Sequence, residues 1–133
     1  MDWKEFQKYT AAFCAWREAS GEGREGIRGV LHVIANRALK HNKTWAQVVF
    51  QYLQFSSITA PGDPQIKAGR VPVQPDAVFI TCYELANSLY NGEDLDITNG
   101  ATHYFADSIP MPTWAQQMTA TAVIGRHKFF RED

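Results

Sequence analysis

The strongest constraint on this chain is the stripe Ile27, Val30, Leu31, Ile34, Ala35 and Ala38, whose spacing by threes and fours lines apolar side chains along one side of a helix. Arg28, His32 and Arg37 lie off the stripe's centre, and Lys40 near its end suits the negative pole of the helix dipole. Such a helix must bury its apolar side against other elements, and the flanking sequence supplies them. Trp3, Phe6, Thr10, Phe13 and Cys14 recur at helical spacing with Lys4, Gln7 and Lys8 opposite, which predicts an amphipathic helix to about Ala19 that Gly21 and Gly23 stop. Thr44 predicts the N-cap of a short third helix through Trp45, Val48 and Val49. Pro75-Asp76 opens a fourth, with Val78, Thr81, Cys82, Leu85 and Leu89 on one face and Asn91-Gly92 at its end.

Between Gln54 and Gln74 periodicity is lost and Pro61-Gly62, Asp63-Pro64, Gly69 and Pro72 punctuate the chain, so this stretch reads as a long loop, a type that commonly carries function. The C-terminal third is mixed. Thr102 to Phe105 has strand character, Pro112-Thr113-Trp114 starts a short helix, and Val123 to Phe130 reads as extended. The fold class expected is therefore α+β, predominantly helical with a small sheet, in a single domain over residues 1–133, a length that buries one core and no more.

A net charge of −1 gives no long-range attraction to nucleic acid. No apolar run approaches the ~18 residues of a membrane span. The start Met1-Asp2-Trp3-Lys4-Glu5 lacks a signal peptide's pattern, so synthesis in a cytoplasm is expected, with any action on a wall following release at lysis or delivery by a virus particle. Cys14 and Cys82 sit among apolar neighbours and read as buried thiols. No exposed apolar helix face calls for a partner, so a monomer is expected.

The chemistry points to Trp16-Arg17-Glu18-Ala19-Ser20-Gly21-Glu22-Gly23. A carboxyl group where a helix ends at glycines can project into a cleft, and cutting a glycosidic bond requires an acid that keeps its proton near neutral pH, which apolar and aromatic surroundings favour. Trp16, Phe55, Tyr104 and Phe105 are the aromatics expected there. Taken alone, both glutamates read equally as solvated charges, and Glu18 falls at the edge of its helix's apolar stripe. A second carboxylate, if the reaction uses one, is undetermined among Glu22, Asp63 and Asp107. His32, His41, His103 and His127 lack the spacing of a zinc site and read as surface or capping residues, so no metal or cofactor is expected.

The motif from Trp16 to Gly23, followed by Gly26, Val30, Val33 and Asn36-Arg37, resembles the cell wall hydrolase family of the spore cortex-lytic enzymes (SleB type). The resemblance continues in order through Trp45 to Val49, Gln54-Phe55-Ser56, Gly100 to Phe105 and Ile124 to Phe130, nearly the whole chain from Phe13. Ser20 departs from the bulkier, commonly basic residue of relatives, and the loop from Ser57 to Gln74 has no counterpart.

The resemblance implies a lysozyme-like, lytic transglycosylase-like domain whose small sheet is antiparallel. It further implies cleavage of peptidoglycan between N-acetylmuramic acid and N-acetylglucosamine, with Glu18 as acid and then base and 1,6-anhydromuramic ends as product. Hydrolytic muramidase action is the alternative, with a zinc or cysteine amidase behind it. The compact form is similar to a bacteriophage lysin or a virion-associated enzyme. Glu22, Gln54, Phe55, Ser56, His103 and Tyr104 are the expected substrate contacts: Gln54 to Ser56 as a strand edge beside Glu18, and Tyr104 holding the sugar or orienting Glu18. Arg37 is expected to pair with Glu22, and His127 to stabilise the sheet.

Overall fold

Asp2 starts the first helix by accepting the Glu5 amide on its carboxylate at 2.8 Å, and α1 runs Trp3–Ala19. The computed structural model describes residues 2–51, 71–73 and 76–133. After Ser20 the chain turns through Gly23, whose φ of 75° lies in the left-handed region that glycine enters without steric penalty. Helix α2, Gly23–His41, closes on Asn42, also left-handed, whose amide returns to the Ala38 and Leu39 carbonyls. Thr44 and Gln47 exchange the two bonds of a capping box at the start of α3, Trp45–Val49. Asp76 caps α4, Ala77–Tyr90, through the Phe79 amide. No helix among the described residues is long and apolar enough to cross a membrane.

Helix α1 packs against α2, α3 and α4, and its inner surface is mostly small: Ala11, Ala12, Cys14, Ala15 and Ala19 are buried. Small side chains let neighbouring helix backbones approach closely. The face expected from spacing is corrected here. Trp3 is 62% exposed and Phe6 is also exposed, whereas Gln7 and Lys8 are buried. Both polar residues have partners that make burial tolerable: Gln7 Oε1 accepts the Ala46 amide at 2.8 Å, and Lys8 Nζ donates to Asn87 Oδ1 at 2.8 Å. Cys14 and Cys82 are buried thiols, as expected.

His32 is likewise buried, against the surface or capping position expected for it, and Arg37, expected off the centre of the stripe, is buried with it. The segment after α4 folds over this side of α2. Asp94 accepts from His32 at 2.6 Å and from Arg28 at 3.1 Å, and Asn36 donates to Asp96 Oδ2 and to the Ala101 carbonyl, each at 2.9 Å. Asp96 also accepts the Thr98 and Gly100 amides, which fixes the turn feeding the sheet.

Three antiparallel strands follow: β1, His103–Ala106; β2, Thr119–Ile124; and β3, His127–Arg131, in the order β1-β3-β2. The stretch expected to be one extended segment is a hairpin, because Gly125 at φ 57° and Arg126 form a turn inside it. On the inner face Phe129, fully buried, lies directly on Gly29 of α2. Phe105 and Phe130 face outward and pack with Ala115, Trp114 and Met118, around the 3₁₀ helix Thr113–Gln117.

Candidate active site

Glu18 stands half-buried in the last turn of α1, where β1 and the β2–β3 turn come together with the α1–α2 corner. Its Oε1 accepts the phenolic hydrogen of Tyr104. Alternation along β1 turns Tyr104 inward, opposite Phe129 in the register, and turns Phe105 outward. The expectation that Phe105 lines the site is thereby corrected: neighbouring residues of a strand face opposite sides. The Tyr104 ring lies 5.7 Å from that of Phe129 and 5.0 Å, edge-on, from His127. Desolvation around the hydroxyl pushes its pKa well above the usual phenol range, and the charge of Glu18 adds to this, so Tyr104 is a neutral donor.

Glu22 occupies the corner itself. Gly26 makes room for it, since a Cβ at that position would stand 2.4 Å from Glu22 Cβ. Both carboxylate oxygens turn to the hairpin: Oε2 accepts from Arg126 Nε at 3.0 Å and from the terminal guanidinium nitrogen, and Oε1 from the Arg126 amide at 3.4 Å. The Arg126 bonds hold the Glu22 carboxyl below the usual carboxylate range. Arg126 had no role in the sequence reading, although it follows a turn glycine in a motif already singled out. The expected pair of Glu22 with Arg37 does not form. Fifteen residues of helix, ~22 Å along its axis, separate the two positions.

Arg37 instead donates to His103 Nε2 at 3.1 Å. A guanidinium only donates, so Nε2 is unprotonated and Nδ1 carries the hydrogen, which points at Thr102 Oγ1 at 3.0 Å. Burial, aided by the charge of Arg37, pushes the His103 pKa down to about 4. Its ring lies 5.2 Å from that of Trp114. His127 is buried in the sheet, burial lowers its pKa, and its Nδ1 has no hydrogen-bond partner among the described residues. Gln54, Phe55 and Ser56 lie outside the described residues.

The arrangement gives one carboxyl group, Glu18, with an oriented neutral donor on one oxygen. A second, Glu22, is ionised and held by a cation. Burial raises the Cys14 thiol well above the usual range and the Cys82 thiol to about 12, so neither supplies the thiolate of a cysteine nucleophile.

A model of the Cell Wall Hydrolase family matches residues 21–130, beginning just after Glu18. Among solved structures, the chain is similar to the catalytic domain of the Bacillus cereus SleB protein, at 23% identity and a TM-score of 0.72 over 94% of this chain and 89% of that one. It is also similar to the catalytic domain of the germination-specific lytic transglycosylase SleB of Bacillus anthracis, at 22% identity and a TM-score of 0.70 over 98% and 97%. No curated protein matches the chain. These likenesses agree with the helical domain and small antiparallel sheet expected from the sequence.

Proposed function

We propose a reaction for this chain, which belongs to the cell wall hydrolase family of peptidoglycan-degrading enzymes: lytic transglycosylation of the glycan strand with Glu18 as the acid and base. The observation that carries it is the hydrogen bond from Tyr104 to Glu18 Oε1. With Oε1 occupied as an acceptor, the transferable proton of Glu18 belongs on Oε2. Donated to the oxygen linking muramic acid C1 to the next sugar, it lets that C1–O bond break. The carboxylate left behind takes the proton of the muramic 6-hydroxyl as O6 bonds to C1 and closes the anhydro ring. Tyr104's bond becomes charge-assisted as the carboxylate forms, so it stabilises the transition state more than the ground state.

The same geometry separates the two glutamates. Glu22 is ionised and ion-paired, with its side chain 10% exposed, which suits a residue that fixes the corner rather than one that trades protons. A hydrolytic route needs a base for water, and Glu22 is engaged by Arg126; this favours the one-carboxylate route.

The test is Glu18→Gln against wild type on purified sacculi, with products identified by mass. Wild type should give fragments lighter by one water than hydrolytic muropeptides, and the variant should lose activity by roughly a thousandfold or more. Products of hydrolytic mass would replace this reading with muramidase action, and a fully active variant would remove Glu18 from the chemistry.

A further inference from the structure

The proposed reaction leaves a side chain against Tyr104 without a task. His127 follows Arg126 at the β2–β3 turn and shares the inner face of β3 with Phe129. In the register between β1 and β3, Phe129 stands opposite Tyr104 and His127 opposite Ala106, so His127 is the diagonal neighbour of Tyr104 at the hairpin end of the sheet. Its ring lies edge-on to that of Tyr104 at 5.0 Å, and the charges of Glu18 and Glu22 both act on its titration. Only 7% of the residue is exposed. Of its two ring nitrogens, Nδ1 is sealed with no partner among the described residues, whereas Nε2 is not sealed. The nitrogen within reach of a ligand is therefore Nε2.

The sealed nitrogen decides the tautomer. Burial lowers the His127 pKa, so the ring is neutral near pH 7 and carries one N–H. A hydrogen on Nδ1 would leave a donor buried without an acceptor, whereas a bare Nδ1 lone pair costs less. The hydrogen belongs on Nε2, an unspent donor beside the Glu18–Tyr104 pair. The surrounding charges choose its acceptor: Glu18, Glu22 and Asp107 act on the ring against one cation, Arg126, which Glu22 already engages. A further anion, such as a lactyl or stem-peptide carboxylate, is disfavoured there, and a neutral oxygen is favoured. On a glycan strand the strong neutral acceptor is the carbonyl of an N-acetyl group.

We infer that His127 is a specificity-determining residue, whose Nε2–H donates to the N-acetyl carbonyl of the sugar seated at Glu18 and so selects acetylated over N-deacetylated glycan. The inference rests on the glycan-cleaving reading above and adds the group by which the strand is recognised. A donor left unpaired by a missing carbonyl is what makes such a contact discriminate.

The test compares wild type with His127→Phe, which keeps an aromatic edge against Tyr104 and removes the donor, on purified sacculi and on the same sacculi after N-deacetylation. Wild type should cut the acetylated sacculi faster. His127→Phe should lose roughly tenfold in initial rate on these and change by less than about twofold on the deacetylated ones. His127→Gln, whose side-chain amide restores an N–H, should recover part of the preference. Equal losses on both substrates, or a wild type indifferent to acetylation, would overturn the inference and leave His127 a support for Tyr104 alone. Should His127→Phe fail to fold, nitrogen-15 NMR of the ring decides. The hydrogen should be found on Nε2 in wild type. In Glu18→Gln its signal should move when a soluble tetrasaccharide of N-acetylglucosamine and N-acetylmuramic acid is added, and stay in place with the N-deacetylated form. A hydrogen on Nδ1, or a ring signal indifferent to the acetylated sugar, would overturn the inference as well. Product masses from the same digests keep the two readings apart. Anhydro products with an unchanged preference in His127→Phe would remove only the role of His127, whereas an active Glu18→Gln would remove the reading on which it rests.

Discussion

The Tyr104 hydroxyl donates its hydrogen to Glu18 Oε1, joining the second residue of β1 to the last turn of α1. Tyr104→Phe keeps the ring that packs on Phe129 and His127 and removes only the donor. The expected result is a kcat lowered roughly ten- to a hundredfold with KM little changed, because the bond strengthens as negative charge forms on Glu18. Burial keeps the phenol protonated well beyond its usual range, so wild type should show no alkaline loss of rate from Tyr104 up to pH 10. Steady-state kinetics across pH on a soluble glycan check both points. An unchanged kcat would make Tyr104 a packing residue only.

The helices were legible because their signals are local. The caps at Thr44 and Asp76 and the glycines after Ala19 act within a few residues of the turn they control. What faces inward was less legible. Gln7 and Lys8 are buried because of partners 39 and 79 residues away, and no periodicity along α1 reports those. The clamp between Glu22 and Arg126 spans 104 residues and escaped for the same reason. Glu18 lies at the edge of its helix's apolar stripe, so the family resemblance and not periodicity singled it out, and its contact with Tyr104, 86 residues away, has no local signal either.

Arg126 is 71% exposed, so solvent screens its ion pair with Glu22 and the pair is expected to contribute little to stability. Its larger effect should be geometric, since it ties the hairpin to the corner beside Glu18. Arg126→Ala is expected to move Tm by only about 3 °C or less while lowering kcat/KM several-fold. The pair also has a pH signature of known sign. Glu22's folded pKa is depressed, so its stabilisation is full above the unfolded carboxylate value of 4.5 and is lost as pH falls through the lower folded value. Thermal melts of wild type and Glu22→Gln between pH 3 and 6 should therefore converge at the acid end.

His103 sets the opposite expectation from a surface histidine. Its folded pKa of about 4 lies below the unfolded value of 6.5, so between those values the unfolded chain binds the extra proton. Stability contributed by the neutral ring is complete above pH 6.5 and is lost as pH falls toward 4. Wild type should lose on the order of 5 °C in Tm across that window from this group. His103→Gln, which keeps an acceptor for Arg37 and cannot titrate, should flatten the dependence. A melt profile of equal slope in both proteins would show that the ring is solvated and protonates freely.

Gly29 tests whether α2 holds the sheet at the distance the site requires. A Cβ there would lie 2.7 Å from Phe129 Cζ and 3.2 Å from Cε2, and the fully buried ring has little room to retreat. In an open helix, glycine to alanine gains up to about 1 kcal/mol from propensity. Here the overpacking cost of about 1–3 kcal/mol should win, lowering Tm by several degrees. Phe129 pairs with Tyr104 across the β1–β3 ladder and touches its ring, so a displaced Phe129 should carry the phenol away from Glu18. Gly29→Ala is therefore expected to lower kcat as well as Tm, and Phe129→Leu in the same background should recover stability by yielding space. Recovery of Tm without kcat would show that the aromatic ring itself is needed to aim Tyr104. A Gly29→Ala protein more stable than wild type would mean that α2 and the sheet sit farther apart than this packing requires.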